Sequence, residues 1–68
     1  MIEITVTPQQ KETLDRFFKG LPLTEIAFEL NLSYSRIIQI LNAILIKTKS
    51  NTRRELLTKK NEIIYKLV

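Results

Sequence analysis

A chain of 68 residues with 44% hydrophobic side chains builds one small domain, because a chain this short buries only about 60% of the surface it exposes when unfolded. It contains no cysteine and no histidine, which removes disulfides, thiol nucleophiles and the usual zinc ligands, and no apolar run approaches the roughly 20 residues of a membrane span. The net charge of +4 is polarised: residues 1–31 carry three basic against five acidic side chains, a balance of −2, whereas residues 32–68 carry eight against two, a balance of +6.

Such polarity favours a polyanionic partner and would steer its approach. It is also the distribution of an ordinary solvated basic face. The start of the chain has neither the basic nor the apolar region of a signal peptide, so the expected location is intracellular, with no membrane contact.

In chain order, residues 1–6 (MIEITV) alternate like a strand. An isolated strand has nothing to pair with, so these residues are expected to form an extended arm. Thr7, Pro8 and Gln10 read as an N-cap, a first-turn proline and the reciprocal partner of a capping box, starting a first helix over about 8–19. Leu14, Phe17 and Phe18 give this helix an apolar face, and Gly20, the only glycine, is placed to end it with a left-handed residue.

Pro22 opens a second helix over 23–30, whose Leu23, Ile26, Ala27 and Leu30 recur at helical spacing. Asn31 tolerates the left-handed angle that closes it, and Ser33 caps a third helix over 34–47 only two residues later. Leu32 before that cap and Ile37 inside the helix form a hydrophobic staple. Two helices joined by so tight a turn are a helix-turn-helix. Thr52 and Glu55 read as a further capping box, and Leu56, Leu57, Ile63, Ile64 and Leu67 place an apolar stripe along a fourth helix over 53–67. The expected architecture is a single all-α domain over residues 1–68 with four helices, a tetrahelical helix-turn-helix.

On a helical wheel, Ile40, Leu41, Ile44 and Thr48 fall within about 60° of Ile37 and form the core stripe of the third helix. Ser35, Gln39, Asn42, Ala43 and Ile46 lie on the opposite arc, Arg36 and Lys47 on one flank, and Ile38 and Leu45 on the other. An uncharged, amide-bearing face suits the floor of a major groove, where Asn or Gln bonds adenine N6 and N7 together. Gln39 and Asn42 are therefore the candidate base readers. Ser35, with Tyr34 beside it, is a candidate for a base or phosphate contact, and Ala43 and Ile46 suit thymine methyls. Arg36 and Lys47 are placed to reach phosphates, and the helix starts near Thr24 and Ser33 offer backbone amides. Taken singly, each polar residue here is an ordinary solvated helix position.

From Val6 to Leu57 these residues resemble the LuxR/GerE-type helix-turn-helix domain. VTPQQKETL, Gly20, TEIAFELNLS at 24–33, RII at 36–38, Ile44, Leu45 and Lys47, then Arg53, Glu55 and Leu56 follow that pattern without a gap. Where the family commonly has DNA-contacting lysines, this chain has Thr24 and Ile38, and Arg36 replaces a threonine. Arg36, Lys47, Lys49 and Arg53 are then the cations left for the backbone. The resemblance implies a LuxR C-terminal-like fold, double-stranded DNA as partner, and homodimerisation through the C-terminal helix by Leu57, Ile63, Ile64 and Leu67. The central part is also similar to region four of bacterial sigma factors, carried by Arg36, Ile37, Gln39, Ile40, Leu45 and Lys47, which implies promoter recognition with RNA polymerase as a further partner.

The expectation is a sequence-specific DNA-binding domain of a bacterial transcriptional regulator, with the third helix in the major groove. It is not expected to be an enzyme or to hold a cofactor or metal. The alternative is a helix-turn-helix module with weakened DNA binding that acts on other proteins as an inhibitor or co-regulator, through Phe28, Ile38, Ile46 or the stripe at 63–68.

Overall fold

The structure, a computed structural model, describes residues 1–68. Elements follow in the order β1 (Ile2–Val6), α1 (Pro8–Phe18), α2 (Leu23–Leu30), α3 (Tyr34–Lys47), α4 (Arg53–Thr58) and β2 (Ile63–Leu67), with a 3₁₀ turn at Lys60–Glu62 before β2. The fold is therefore α+β, and the all-α expectation is corrected. Residues 1–6 are no loose arm: Ile2–Val6 pairs in parallel with Ile63–Leu67, Ile2 opposite Ile63 and Val6 opposite Leu67.

The fourth helix is likewise shorter than the expected 53–67. It ends at Thr58, and the polar Lys59–Glu62 stretch makes the turn into β2. The physical reason is a partner for each end of the chain. Ile2, Ile4 and Val6 share one face with Ile63, Tyr65 and Leu67, and Ile4, Val6 and Ile63 are buried in the common core. Parallel strands require a long crossover. Here the whole helical body supplies it, and packing on that body supports a two-stranded ladder that would be marginal alone.

The three long helices form for local reasons. Thr7 and Gln10 make the reciprocal capping box, Gln10 N–H donating to Thr7 Oγ1 at 3.2 Å and Thr7 N–H to Gln10 Oε1 at 3.0 Å. Three helix ends share one device, a residue of positive φ just past the last turn: Gly20 (φ 90°) after α1, Asn31 (φ 56°) after α2 and Lys49 (φ 55°) after α3. In each case the next residue donates its amide back to a carbonyl of the last turn: Leu21 to Arg16 at 3.3 Å, Leu32 to Ala27 at 2.9 Å and Ser50 to Leu45 at 2.9 Å. Orphan carbonyls are thereby satisfied and the chain reverses sharply.

The core joins Leu14 and Phe17 of α1, Ile26 and Ala27 of α2, Ile37, Ile40, Leu41 and Ile44 of α3 and Leu56 of α4 to the inner face of the sheet. The whole expected core stripe of α3 is buried, including Thr48, whose hydroxyl donates to the Ile44 carbonyl at 2.9 Å and pairs with the Ser50 hydroxyl. Leu32 and Ile37, the expected staple, both pack into this core. No helix is long and apolar enough to cross a membrane.

Candidate nucleic-acid interface

The turn between α2 and α3 fixes how α3 presents its outward face. Asn31 turns the chain, and Ser33 caps α3 by accepting the Arg36 amide on its hydroxyl oxygen at 3.1 Å. An ion pair from Arg16 Nε to Glu29 Oε1 at 2.9 Å ties α2 to α1 and holds the helix pair on its support.

With its core stripe turned inward, α3 leaves Ser35, Gln39, Asn42 and Ile46 exposed and Ala43 half-buried. The Ser35, Gln39 and Asn42 side chains form no hydrogen bonds within the protein, whereas Arg36 and Lys47 on the adjoining flank do. From Ser35 to Ile46 the face runs about 16 Å at 1.5 Å per residue. It carries no charge of its own, and its amides are free to exchange water for base edges.

The flanking cations differ from expectation in their attachments. Arg36 Nη2 donates to Gln9 Oε1 at 3.0 Å. Lys47 Nζ donates to the Thr5 carbonyl at 2.7 Å and to Gln10 Oε1 at 3.3 Å. Both remain exposed, so they border the face while spanning from α3 to α1 and β1. Arg36 keeps further N–H groups for an anion, but Lys47 is chiefly a strap. On the opposite flank Leu45 packs on the core, and Ile38 is half-buried.

Beyond the end of α3 lie cations without a partner. Lys49, Arg53, Arg54 and Lys60 are exposed and take part in no side-chain hydrogen bond or ion pair, whereas Lys59 is drawn in, its Nζ donating to the Thr48 carbonyl at 3.2 Å and facing Glu55 at 3.5 Å. Arg54 and Lys60 were not among the residues expected from sequence. Their signal was the basic run itself: Arg54 follows Arg53 on α4, and Lys60 lies in the polar turn after it.

The first turn of α4 is held by Thr52, whose hydroxyl oxygen accepts the Glu55 amide at 3.1 Å. The expected reciprocal box is modified: the Glu55 carboxylate accepts the Asn51 amide at 2.8 Å, one residue before the cap. That hydrogen bond, with help from Lys59 and against some desolvation, holds the Glu55 carboxyl below its ordinary range.

Among the other expected contacts, Thr24 is exposed one residue inside α2, whose N-cap position is Pro22 and has no side-chain cap. Tyr34 is half-exposed at the start of α3. The expected dimerisation stripe does not exist as a helix face. Leu57 lies on α4, whereas Ile63, Ile64 and Leu67 are strand residues, Ile63 buried inside and Ile64 on the outer sheet face. Two exposed apolar side chains border the interface, Phe28 on α2 (86% exposed) and Ile46 on α3 (78%).

Compared with known protein families, with curated proteins and with solved structures, the chain matches none of them.

Proposed function

We propose that this protein is a sequence-specific DNA-binding domain of a bacterial transcriptional regulator, acting on the nucleoid, in which α3 lies in the major groove. The observation that carries the reading is the free face of α3: Gln39 and Asn42 are exposed and unpaired on the second helix of a tight helix-turn-helix. Asn and Gln are the side chains that read adenine through paired bonds to N6 and N7. Ser35 and Ala43 complete the face, with Ile46 suited to a thymine methyl.

Affinity in this reading comes mainly from phosphate neutralisation. Lys49, Arg53, Arg54 and Lys60 are the unpartnered cations for it, with Arg36 and the α2 start at Thr24 nearer the helix-turn-helix. The resemblance to LuxR/GerE-type domains and to sigma region four supports the same use of α3, although the lysines common in the former are replaced by Thr24 and Ile38. Under the sigma-like form of this reading, RNA polymerase is a further partner.

The test is selection from a randomised duplex library at two salt concentrations. A recovered consensus of a few base pairs, with an affinity that falls about 0.9 log units per phosphate contact for each log unit of salt, is the expected result. Recovery of random sequence at both salts would reject specific readout.

Phe28 and Ile46 favour a second reading, in which the module binds another protein through an apolar contact. Salt separates the two. An apolar contact persists at high salt, and phosphate-driven binding does not.

A further inference from the structure

The two edges of the small sheet are unequal. Val68 N–H donates to the Val6 carbonyl at 2.9 Å, and with the register of Ile2 opposite Ile63 this fixes which residues of each strand face inward. In a parallel ladder, one residue in two on each strand turns both its N–H and C=O to the neighbour. On β2 these are Ile64, Lys66 and Val68, so the N–H and C=O groups of Ile63, Tyr65 and Leu67 point away from β1 along an open edge. On β1 the outward groups are those of Glu3 and Thr5, and that edge is blocked: Lys47 reaches from α3 to the Thr5 carbonyl. Nothing reaches the edge of β2, where no side-chain hydrogen bond is made.

Natural sheets usually protect an exposed edge with an inward lysine, a proline or a covering segment. The edge of β2 has none of these. Its one cation, Lys66, is neutralised by the ion pair with Glu3 on the outer face. The apolar side chains beside it are Leu67, 59% exposed, and Ile64, 42% exposed.

We propose that the β2 edge pairs with the β2 edge of a second copy of this chain, antiparallel about a two-fold axis, joining the two small sheets into one of four strands. Self-complementarity selects the second copy. Centring the pair on Tyr65 sets Tyr65 opposite Tyr65 of the other copy and Ile63 opposite Leu67 at both ends, so that each outward-facing residue exchanges N–H and C=O bonds with its counterpart. The same register places Leu67 against Ile63 on the inner face and Lys66 against Ile64 on the outer one. Apolar surface is covered, and the two lysines do not face each other. Shifting the register one pair toward the C-terminus sets Lys66 opposite Lys66, which like-charge repulsion disfavours, and shifting it the other way sets Leu67 opposite Asn61, in the 3₁₀ turn outside the strand. This dimer uses the strand that the sequence presented as a dimerising helix. It does not depend on DNA, and its two-fold axis suits inverted half-sites.

Sedimentation velocity without DNA, over a dilution series, tests it together with amide hydrogen exchange. The expected result is a species of twice the 8.0 kDa chain mass that dissociates on dilution, with the Ile63, Tyr65 and Leu67 amides protected only where the dimer is populated. Leu67→Pro removes an outward N–H without touching a ladder bond, and Leu67→Lys adds an unpaired edge charge. Either variant is expected to weaken association at least tenfold while far-ultraviolet circular dichroism stays unchanged. A wild-type chain that remains at monomer mass would overturn the proposal. So would a dimer that survives in both folded variants, or one in which those three amides exchange at the same rate at every concentration.

Discussion

The Lys47 ammonium sits 2.7 Å from the Thr5 carbonyl oxygen, so the last turn of α3 is bound to the outer edge of β1. A side chain that the sequence offers to phosphate thus carries a structural task. Charge-assisted hydrogen bonds contribute about 1.5–3 kcal/mol when well shielded and less at an exposed site such as this. Lys47→Met, which keeps the aliphatic stem, is expected to lower stability by about 1 kcal/mol in urea titration. It should flatten the salt dependence of DNA binding less than Arg53→Ala or Arg54→Ala does. A larger change of salt slope at Lys47 than at both arginines would show that the strap opens on binding.

Gln39→Ala and Asn42→Ala should each cost about 1–3 kcal/mol at one base position of the selected site and relax preference there. Because neither side chain is bonded inside the protein, thermal stability should stay within about 0.5 kcal/mol of wild type. Competition binding against single-base variants of the site reads the first effect, and thermal melting the second. Unchanged base preference in both variants would remove these residues as readers.

Lys49 occupies a left-handed conformation, φ 55°, that costs a side-chain-bearing residue about 1 kcal/mol or more. Lys49→Gly is therefore expected to raise stability by about 0.5–1 kcal/mol while removing one cation from the basic tract. Stability and DNA affinity should move in opposite directions, which urea titration and fluorescence anisotropy measured together will show.

Two groups give the fold a pH dependence at its extremes. Burial, with the Asp15 carboxylate adding to it, raises the Tyr65 phenol pKa, so the folded state favours the neutral form. The associated stability is complete below the unfolded value of about 10 and is lost as pH rises through the higher folded value. Glu55 behaves oppositely, its carboxyl lowered chiefly by the Asn51 amide. Its contribution is present above the ordinary carboxyl pKa of about 4.3 and is lost as pH falls through the folded one. Tyr65→Phe should remove the alkaline arm of the stability profile, and Glu55→Gln should reduce the acid arm.

Ile63 belongs to the core from β2, and Ile63→Ala is expected to cost about 2–4 kcal/mol. Ile64→Ala, on the outer sheet face, should cost about 1 kcal/mol or less. A helical 53–67 segment would instead make the two positions similar in cost, so the contrast between them in denaturant titrations tests the strand directly.

Local signals carried most of the fold. The caps at Thr7, Ser33 and Thr52 are each made within a few residues, as are the reversals at Gly20 and Asn31, and α1 to α3 fall almost where sequence placed them. The ends of the chain were illegible for a different reason. Ile63, Ile64 and Leu67 fit a helical stripe, while Ile63, Tyr65 and Leu67 alternate equally well as a strand, and periodicity over so few residues cannot separate the two. What decides is the pairing of MIEITV with the far end of the chain, a non-local contact that no window contains. The free face of α3 was readable from the wheel, since Ile37, Ile40, Leu41 and Ile44 leave it no other orientation. The attachments of Arg36 to Gln9 and of Lys47 to Thr5 and Gln10 were not, because they depend on how α1 and β1 dock.

Whether the outward side of α3 meets DNA is read out by amide chemical-shift mapping of the ¹⁵N-labelled protein against the selected duplex. The largest perturbations are expected from Ser35 to Ile46, with side-chain amide shifts at Gln39 and Asn42 and a fringe at Lys49, Arg53 and Arg54. Perturbations that leave α3 silent and gather elsewhere would contradict that contact.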